Sequence, residues 1–175
     1  MAKIIVISGL TAGVKTTLVN SLARNLKNSK IISFDNYGID QLPSAPPLNK
    51  PLSQTINLYE IQNIISAVNS ARYKYDYVLV DYPFGNCHEL FNRLIDLTVY
   101  IKTPLDILLA RQILRDFSNK DINTVNNYLN AYLKTIRQVL IENENFIVET
   151  ADLILTGETP LSAKVEKVIA AIKLL

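Results

Sequence analysis

Short apolar runs and helix-spaced apolar positions take turns along the whole chain. The runs are "KIIVIS" (3–8), "KIISF" (30–34), "YDYVLVDY" (75–82), "LTVYI" (97–101) and "DLILT" (152–156), all rich in β-branched residues. Their apolarity is continuous rather than alternating, which predicts strands covered on both faces, as in a parallel sheet. Between them Leu18, Leu22 and Leu26 recur at i, i+4 and i+8, and Leu58, Ile61, Ile65 and Val68 share one helical face. The stretch "KTPLDILLARQILRDF" predicts a helix that Thr103 caps, with Pro104 in its first turn and Asp106 completing a capping-box-like pattern. The longest helix is predicted over about 121–143, with Ile122, Val125, Leu129, Tyr132, Leu133, Ile136 and Leu140 as its apolar stripe.

Strand alternating with helix predicts a layered α/β fold: a mainly parallel five-stranded sheet between helices, joined by right-handed crossovers. One segment breaks the rhythm. At about 36–54, "NYGIDQLPSAPPLNKPLSQ" holds four of the seven prolines and keeps no period. Irregular connections longer than roughly 12 to 15 residues are uncommon in compact domains and often serve as binding loops or lids. A plain surface excursion accounts for the length equally well.

The chain of 175 residues is long enough for one substantial core and short for two, so residues 1–175 are expected to form a single domain. Its 18 basic and 16 acidic side chains are scattered, with no block of like charge, which argues against a nucleic-acid or membrane-surface partner. Cys87 is the only cysteine, so no intramolecular disulfide can form and a cytoplasmic location is expected. No signal-peptide pattern and no apolar run near the roughly 20 residues of a membrane span is present. A homo-oligomer is compatible with this composition.

Chemistry concentrates first in "VISGLTAGVKTTL" (6–18). In the pattern G-x-x-x-x-G-K-[ST], backbone N–H groups surround phosphate oxygens, the lysine reaches the β and γ phosphates, and the hydroxyl ligates magnesium. Gly9, Lys15 and Thr16 keep the spacing, with an apolar strand before and a leucine-striped helix after, but Val14 stands where the second glycine belongs. The expected nucleotide contacts are Gly9, Thr11, Ala12, Gly13, Val14, Lys15, Thr16 and Thr17. If the position before Lys15 needs positive φ, valine there costs about 1 to 3 kcal/mol, and if the loop relaxes whenever it is empty this weakens binding roughly 5- to 150-fold without abolishing it. Gly13, one position early, offers a shifted turn.

Two carboxylates follow predicted strands, where ligands bind in open α/β sheets. Asp81, after "YVLV", is placed to hold magnesium with Thr16; Asp35, after "IISF", is placed to take a proton from an acceptor hydroxyl. Either could instead cap a turn. Arg111 and Arg115, four apart on one helix face, could bracket phosphate charge or be ion-paired with a neighbour such as Asp116. Adjacent Cys87 and His88 cannot build a zinc site or a Cys/His pair without a second His or Cys, so a helix start is expected for both.

Several segments together resemble the uridine kinase and phosphoribulokinase group of P-loop small-molecule kinases. "SGLTAGVKTTL" looks like that group's phosphate loop apart from Val14, and "IISFDNYG" is similar to its second strand, whose aspartate and following aromatic serve the acceptor hydroxyl. "NKPLSQTINLYEI" loosely resembles the stretch before the next helix. "DLTVYIKTPLDILLARQILRD" resembles the strand and lid-forming helix whose arginines contact phosphates, and "YLKTIRQVLIENENFIVETADLIL" the helix and last strand that follow. The resemblance implies a three-layer P-loop NTPase fold, ATP and Mg2+ as cofactors, and a small-molecule hydroxyl acceptor, first of all a nucleoside. It implies Asp35 and Tyr37 at the acceptor, Lys15, Arg111 and Arg115 at the migrating phosphoryl group, and a lid-like region near 111–121. Three departures stand out: Val14, Gln112 where a second arginine is frequent, and "VDYPFG" where uridine kinases usually carry Glu-Gly and which is closer to nucleoside monophosphate kinases. A monophosphate or sugar acceptor, and a degenerate nucleotide-binding module with little catalysis, are the alternatives.

Overall fold

The five apolar runs pair into one parallel sheet in the structure, a computed structural model that describes residues 1–39 and 51–175. In chain order the elements are β1 (Lys3–Ser8), α1 (Lys15–Asn25), β2 (Ser29–Ser33), a 3-10 turn (Phe34–Tyr37), α2 (Leu52–Thr55), a second 3-10 turn (Ile56–Leu58), α3 (Gln62–Ala71) and β3 (Tyr77–Asp81). There follow α4 (Glu89–Asn92), β4 (Leu97–Lys102), α5 (Leu105–Asp116), α6 (Ile122–Ala131), a π turn (Tyr132–Ile136), α7 (Arg137–Val148), β5 (Leu153–Thr156) and α8 (Leu161–Lys173). The strand order is β2-β3-β1-β4-β5. Every neighbouring pair is parallel.

Side chains alternate across the sheet and divide the core into two layers. From β1, Ile4 and Val6 join one cluster with Ile64 and Val68 of α3 and Val78 and Val80 of β3. Ile5 and Ile7 join the other, with Leu18 and Leu22 of α1, Val99 of β4 and Val168 and Ile172 of α8. Covered on both faces, the strands needed unbroken apolar runs, and that is why they were readable. Among the described residues no helix is long and apolar enough to cross a membrane.

Three local expectations fail for physical reasons. Leu58 is 59% exposed, because a 3-10 turn ends there and α3 starts only at Gln62; its inner face is Ile61, Ile64, Val68 and Ala71. Thr103 does not cap α5: the cap position is Pro104, and the Thr103 side chain is buried in the space a Cβ of Gly157 would need. The helix predicted over 121–143 runs on to Val148 as α6, the π turn and α7. A π turn takes up one extra residue. Tyr132 points inward there, so Leu133 beside it is thrown out at 75% exposure, and Ile122 is 67% exposed. Val125, Leu129, Ile136 and Leu140 stay half-buried as expected.

Of the predicted Pro-rich connection at 36–54, residues 40–50 lie outside the described residues; Asn36 and Tyr37 belong to the first 3-10 turn and 52–54 open α2. The corrected face of α3 is testable by urea unfolding. Ile64→Ala is expected to lower stability by about 2 to 5 kcal/mol, whereas Leu58→Ala should stay within about 0.5 kcal/mol of the parent chain.

Candidate active site

The strand order puts the carboxyl end of β1 between those of β3 and β4. Ile7 and Ser33 both pair in register with Asp81, so the ends of β1, β3 and β2 lie side by side. Residues immediately beyond these ends come from distant parts of the sequence, and the sheet alone brings them together.

Between β1 and α1 the chain makes the predicted tight loop. A Cβ on Gly9 would come 2.9 Å from the Ile101 carbonyl oxygen of β4, so glycine lets the loop start flush against the neighbouring strand. The Gly13 N–H donates to the Leu10 carbonyl at 3.2 Å, and a Cβ on Gly13 would sit 2.8 Å from that oxygen. Left-handed backbone occurs at Ala12 (φ 57°) and at Val14 (φ 59°, ψ 23°), the cap of α1. Gly13 does not take positive φ, so the shifted turn does not form and Val14 itself bears the conformation glycine would adopt freely. Such backbone costs an L-residue roughly 1 to 2 kcal/mol. Packing of Val14 against the core cluster on the α1 face offsets part of it. Left-handed residues interspersed along a loop are the geometry that turns successive N–H groups to one side as an anion nest.

The loop walls a cavity of about 480 Å³. Thr11 to Thr17 form one wall, Phe34 with Asp35 and Asp81 with Pro83 stand at the ends of β2 and β3, and Arg111 and Arg115 enter from α5. The predicted residues thus converge, except Gly9, which lies beneath the loop, and Tyr37, which packs against the core cluster on the α3 face.

Thr16 Oγ1 donates to Asp81 Oδ2 at 2.6 Å, and Lys15 Nζ donates to the Leu10 carbonyl at 3.1 Å. Burial pushes the Lys15 pKa down despite the opposing fields of Asp81 and Asp35. Burial likewise pushes Asp81 up, against the Thr16 hydrogen bond and the Lys15 charge. Arg115 donates to Asp116 from Nε at 2.7 Å and from Nη2 at 2.9 Å, a pairing that raises its pKa, and its Nη2 reaches Thr11 Oγ1 at 3.5 Å. Arg111 differs: its Nη1 is buried with no acceptor among the described residues. Gln112 accepts a hydrogen bond from Tyr128 Oη at 2.9 Å and so ties α5 to α6.

The Thr16 and Asp81 oxygens form a hard pair, and no group of three or more His, Cys, Asp or Glu is gathered among the described residues. Such a sparse oxygen set suits magnesium, which is held by one or two side chains and keeps water and phosphate oxygens for the rest. His88 caps α4: Nδ1 accepts from the Leu90 N–H at 3.2 Å, Nε2 lies 3.3 Å from the Tyr59 carbonyl, and burial lowers its pKa, fitting a neutral ring. Cys87 precedes that cap, its thiol pushed up by burial.

Sequence reasoning passed over Phe34 and Pro83. Phe34 meets Tyr82 and Phe84 edge-on at ring distances of 5.6 and 5.5 Å, an aromatic cluster continuous with the core on the α3 face. The aromatics flanking each aspartate in "FDNY" and "DYPFG" were the available signal.

Ionising Asp81 is harder in the folded chain than in the unfolded one, so the stability tied to its protonated form is full below the ordinary carboxylate range and lost as pH rises through the raised value. Asp81→Asn is therefore expected to melt higher than the parent chain near neutral pH, and the gain should disappear on acidification. A melting temperature that falls at neutral pH would contradict the burial argument.

No protein-family model matches the chain. Uridine kinases of Borrelia duttonii (strain Ly) and Borreliella burgdorferi (strain ZS7) are each 28% identical to it over 184 residues, covering 89% of this chain and 86% of the relative. Among solved structures, shikimate kinase from Aquifex aeolicus vf5 superposes with a TM-score of 0.57 over 97% of this chain and 96% of its own, at 16% identity. Shikimate kinase from Bacteroides thetaiotaomicron gives a TM-score of 0.58, with 98% of each chain covered, also at 16% identity. The tunicamycin resistance protein of Deinococcus radiodurans gives a TM-score of 0.57 over 98% of this chain and 96% of its own, at 16% identity. At that identity the structures speak for the fold, and the uridine kinases carry the likeness in sequence. The chain thus has the fold of the shikimate kinases and, over nearly its whole length, is similar in sequence to uridine kinases.

Proposed function

We propose that the chain transfers the terminal phosphoryl group of ATP to a hydroxyl of a nucleoside. The observation that carries the reading is the convergence of the phosphate loop, Asp35, Asp81 and two arginines of α5 on one cavity. Likeness to uridine kinases over 89% of the chain favours a nucleoside over other acceptors.

The N–H groups of the loop and the amino end of α1 receive the phosphates. Lys15, whose charge burial disfavours, gains most when phosphate charge arrives beside it. Asp35 accepts the proton of the attacking hydroxyl as its oxygen bonds to the γ phosphorus and the bond to the β–γ bridging oxygen breaks, releasing ADP. Arg111 and Arg115 balance charge on the migrating group. Magnesium, held by Thr16 and Asp81, would screen the phosphate charge when bound.

Screening uridine, other nucleosides, nucleoside monophosphates and sugars for ADP release tests the acceptor. Turnover on a nucleoside is expected, and Asp35→Ala should lower it roughly 100-fold or more while nucleotide still binds. Full turnover by that variant would remove Asp35 from the role of base.

The Val14 backbone favours a second reading, a nucleotide-binding module with little catalysis. Glycine relieves the left-handed strain, so Val14→Gly is expected to bind Mg-ATP more tightly, by up to the roughly 5- to 150-fold that corresponds to 1 to 3 kcal/mol. Turnover that appears only in the variant would favour the module; turnover by both chains favours the kinase.

A further inference from the structure

An acidic residue at the carboxyl end of α5 works against its own helix. Asp116 is the last residue of α5, where a negative charge opposes the helix dipole, and it is exposed, where an ion pair adds little to stability. Both its oxygens are nevertheless engaged. Oδ1 accepts from Arg115 Nε at 2.7 Å and Oδ2 accepts from Arg115 Nη2 at 2.9 Å. Adjacent helical residues do not ordinarily face one another, so the pair fixes a particular turn of the arginine side chain.

The carboxylate is braced from α6. Gln112, one turn before Asp116, accepts from Tyr128 Oη at 2.9 Å, and Phe117, the residue after it, packs on the Tyr128 ring at 4.7 Å between centroids. Asp116 thus stands between two residues that grip the same tyrosine, which steadies it in spite of its exposure. The Arg115 bond above all, with a smaller contribution from the Gln112 side chain, holds its carboxyl below the ordinary carboxylate range, so the pair persists into acid. A guanidinium carries its N–H donors in one plane as a rigid fork. Asp116 takes the Nε–Nη2 side of that fork; the Nη1 donors and the outer Nη2 donor are left along the other edge. Nη2 also lies 3.5 Å from Thr11 Oγ1 of the phosphate loop, so this outer edge is turned toward the loop wall of the cavity that Arg115 itself lines.

We infer that Asp116 is a positioning residue: it takes the Nε–Nη2 side of the Arg115 guanidinium and so aims the outer Nη1–Nη2 edge at the phosphate loop. A phosphate oxygen entering the cavity then meets an arginine already turned to it, and less side-chain freedom is lost on binding. The inference rests on the proposed nucleotide site and names what orients one of its cations.

A double-mutant cycle on Mg-ATP affinity, measured by calorimetry, separates aim from general support of the fold. Asp116→Ala is expected to raise the Kd roughly tenfold, the order of one charge-assisted hydrogen bond, with an unchanged melting temperature. Asp116→Asn, which keeps one acceptor oxygen, should fall between the parent and the alanine variant. Arg115→Ala should cost at least as much as Asp116→Ala, and adding Asp116→Ala to it should cost nothing more. Tighter binding by Asp116→Ala would mean that the carboxylate competes with phosphate for Arg115, and would overturn the inference. So would an unchanged Kd, or equal losses with and without Arg115. A parent chain that binds no Mg-ATP defeats the nucleotide site and this inference together, whereas binding by the parent with an additive cycle defeats the inference alone.

Discussion

A parallel sheet has to carry the chain back across its face after every strand, so all carboxyl ends point to one edge and all returns are made by helices. Everything chemical in this protein follows from that constraint. With the order β2-β3-β1-β4-β5, the chain goes out to one side of β1 and then to the other, and the crevice opens at the ends of the strands where the direction changes. The phosphate loop leaves β1, Asp81 ends β3, Asp35 lies just past β2, and α5 rises from β4 with its arginines. No one segment holds the site; the return path of the chain assembles it.

The same cavity gathers charges that the fold does not favour. Burial works against the ionised forms of Lys15 and Asp81. Val14 adds backbone strain at the amino end of α1. Stability is given up at these positions, all of them on the wall of one cavity. The surface pair of Arg115 with Asp116, by contrast, is exposed and contributes little to holding the chain folded.

The strands were legible to within about two residues because two-sided burial leaves an unbroken apolar signature, and the two aspartates were legible because a parallel sheet makes strand ends into sites. What escaped the sequence was set by partners far away or by backbone without a compositional mark. Thr103 reads as a cap until Gly157, more than fifty residues on, claims the space for its side chain. Leu58 keeps helical spacing with Ile61, yet the helix starts after both. A π turn carries no residue preference that would announce it at Tyr132, so the outward turn of Leu133 could not be foreseen. Lys164, four residues past a proline on an amphipathic helix, reads as a solvated surface lysine; only the turn folded over it makes it internal.

The central place of β1 also bears on how the chain reaches this structure. Of the five strands β1 is made before the rest and has no sequence neighbour as a partner: its two companions begin at Tyr77 and Leu97, so no hairpin can shelter it. Its contacts are among the most non-local in the protein, and loops of this size must close before any of them forms, a topology that folds slowly. During synthesis "IIVI" therefore waits, apolar and unpaired, until roughly seventy residues have followed it. The segment that anchors the finished sheet is, in the nascent chain, the one most exposed to association with other chains.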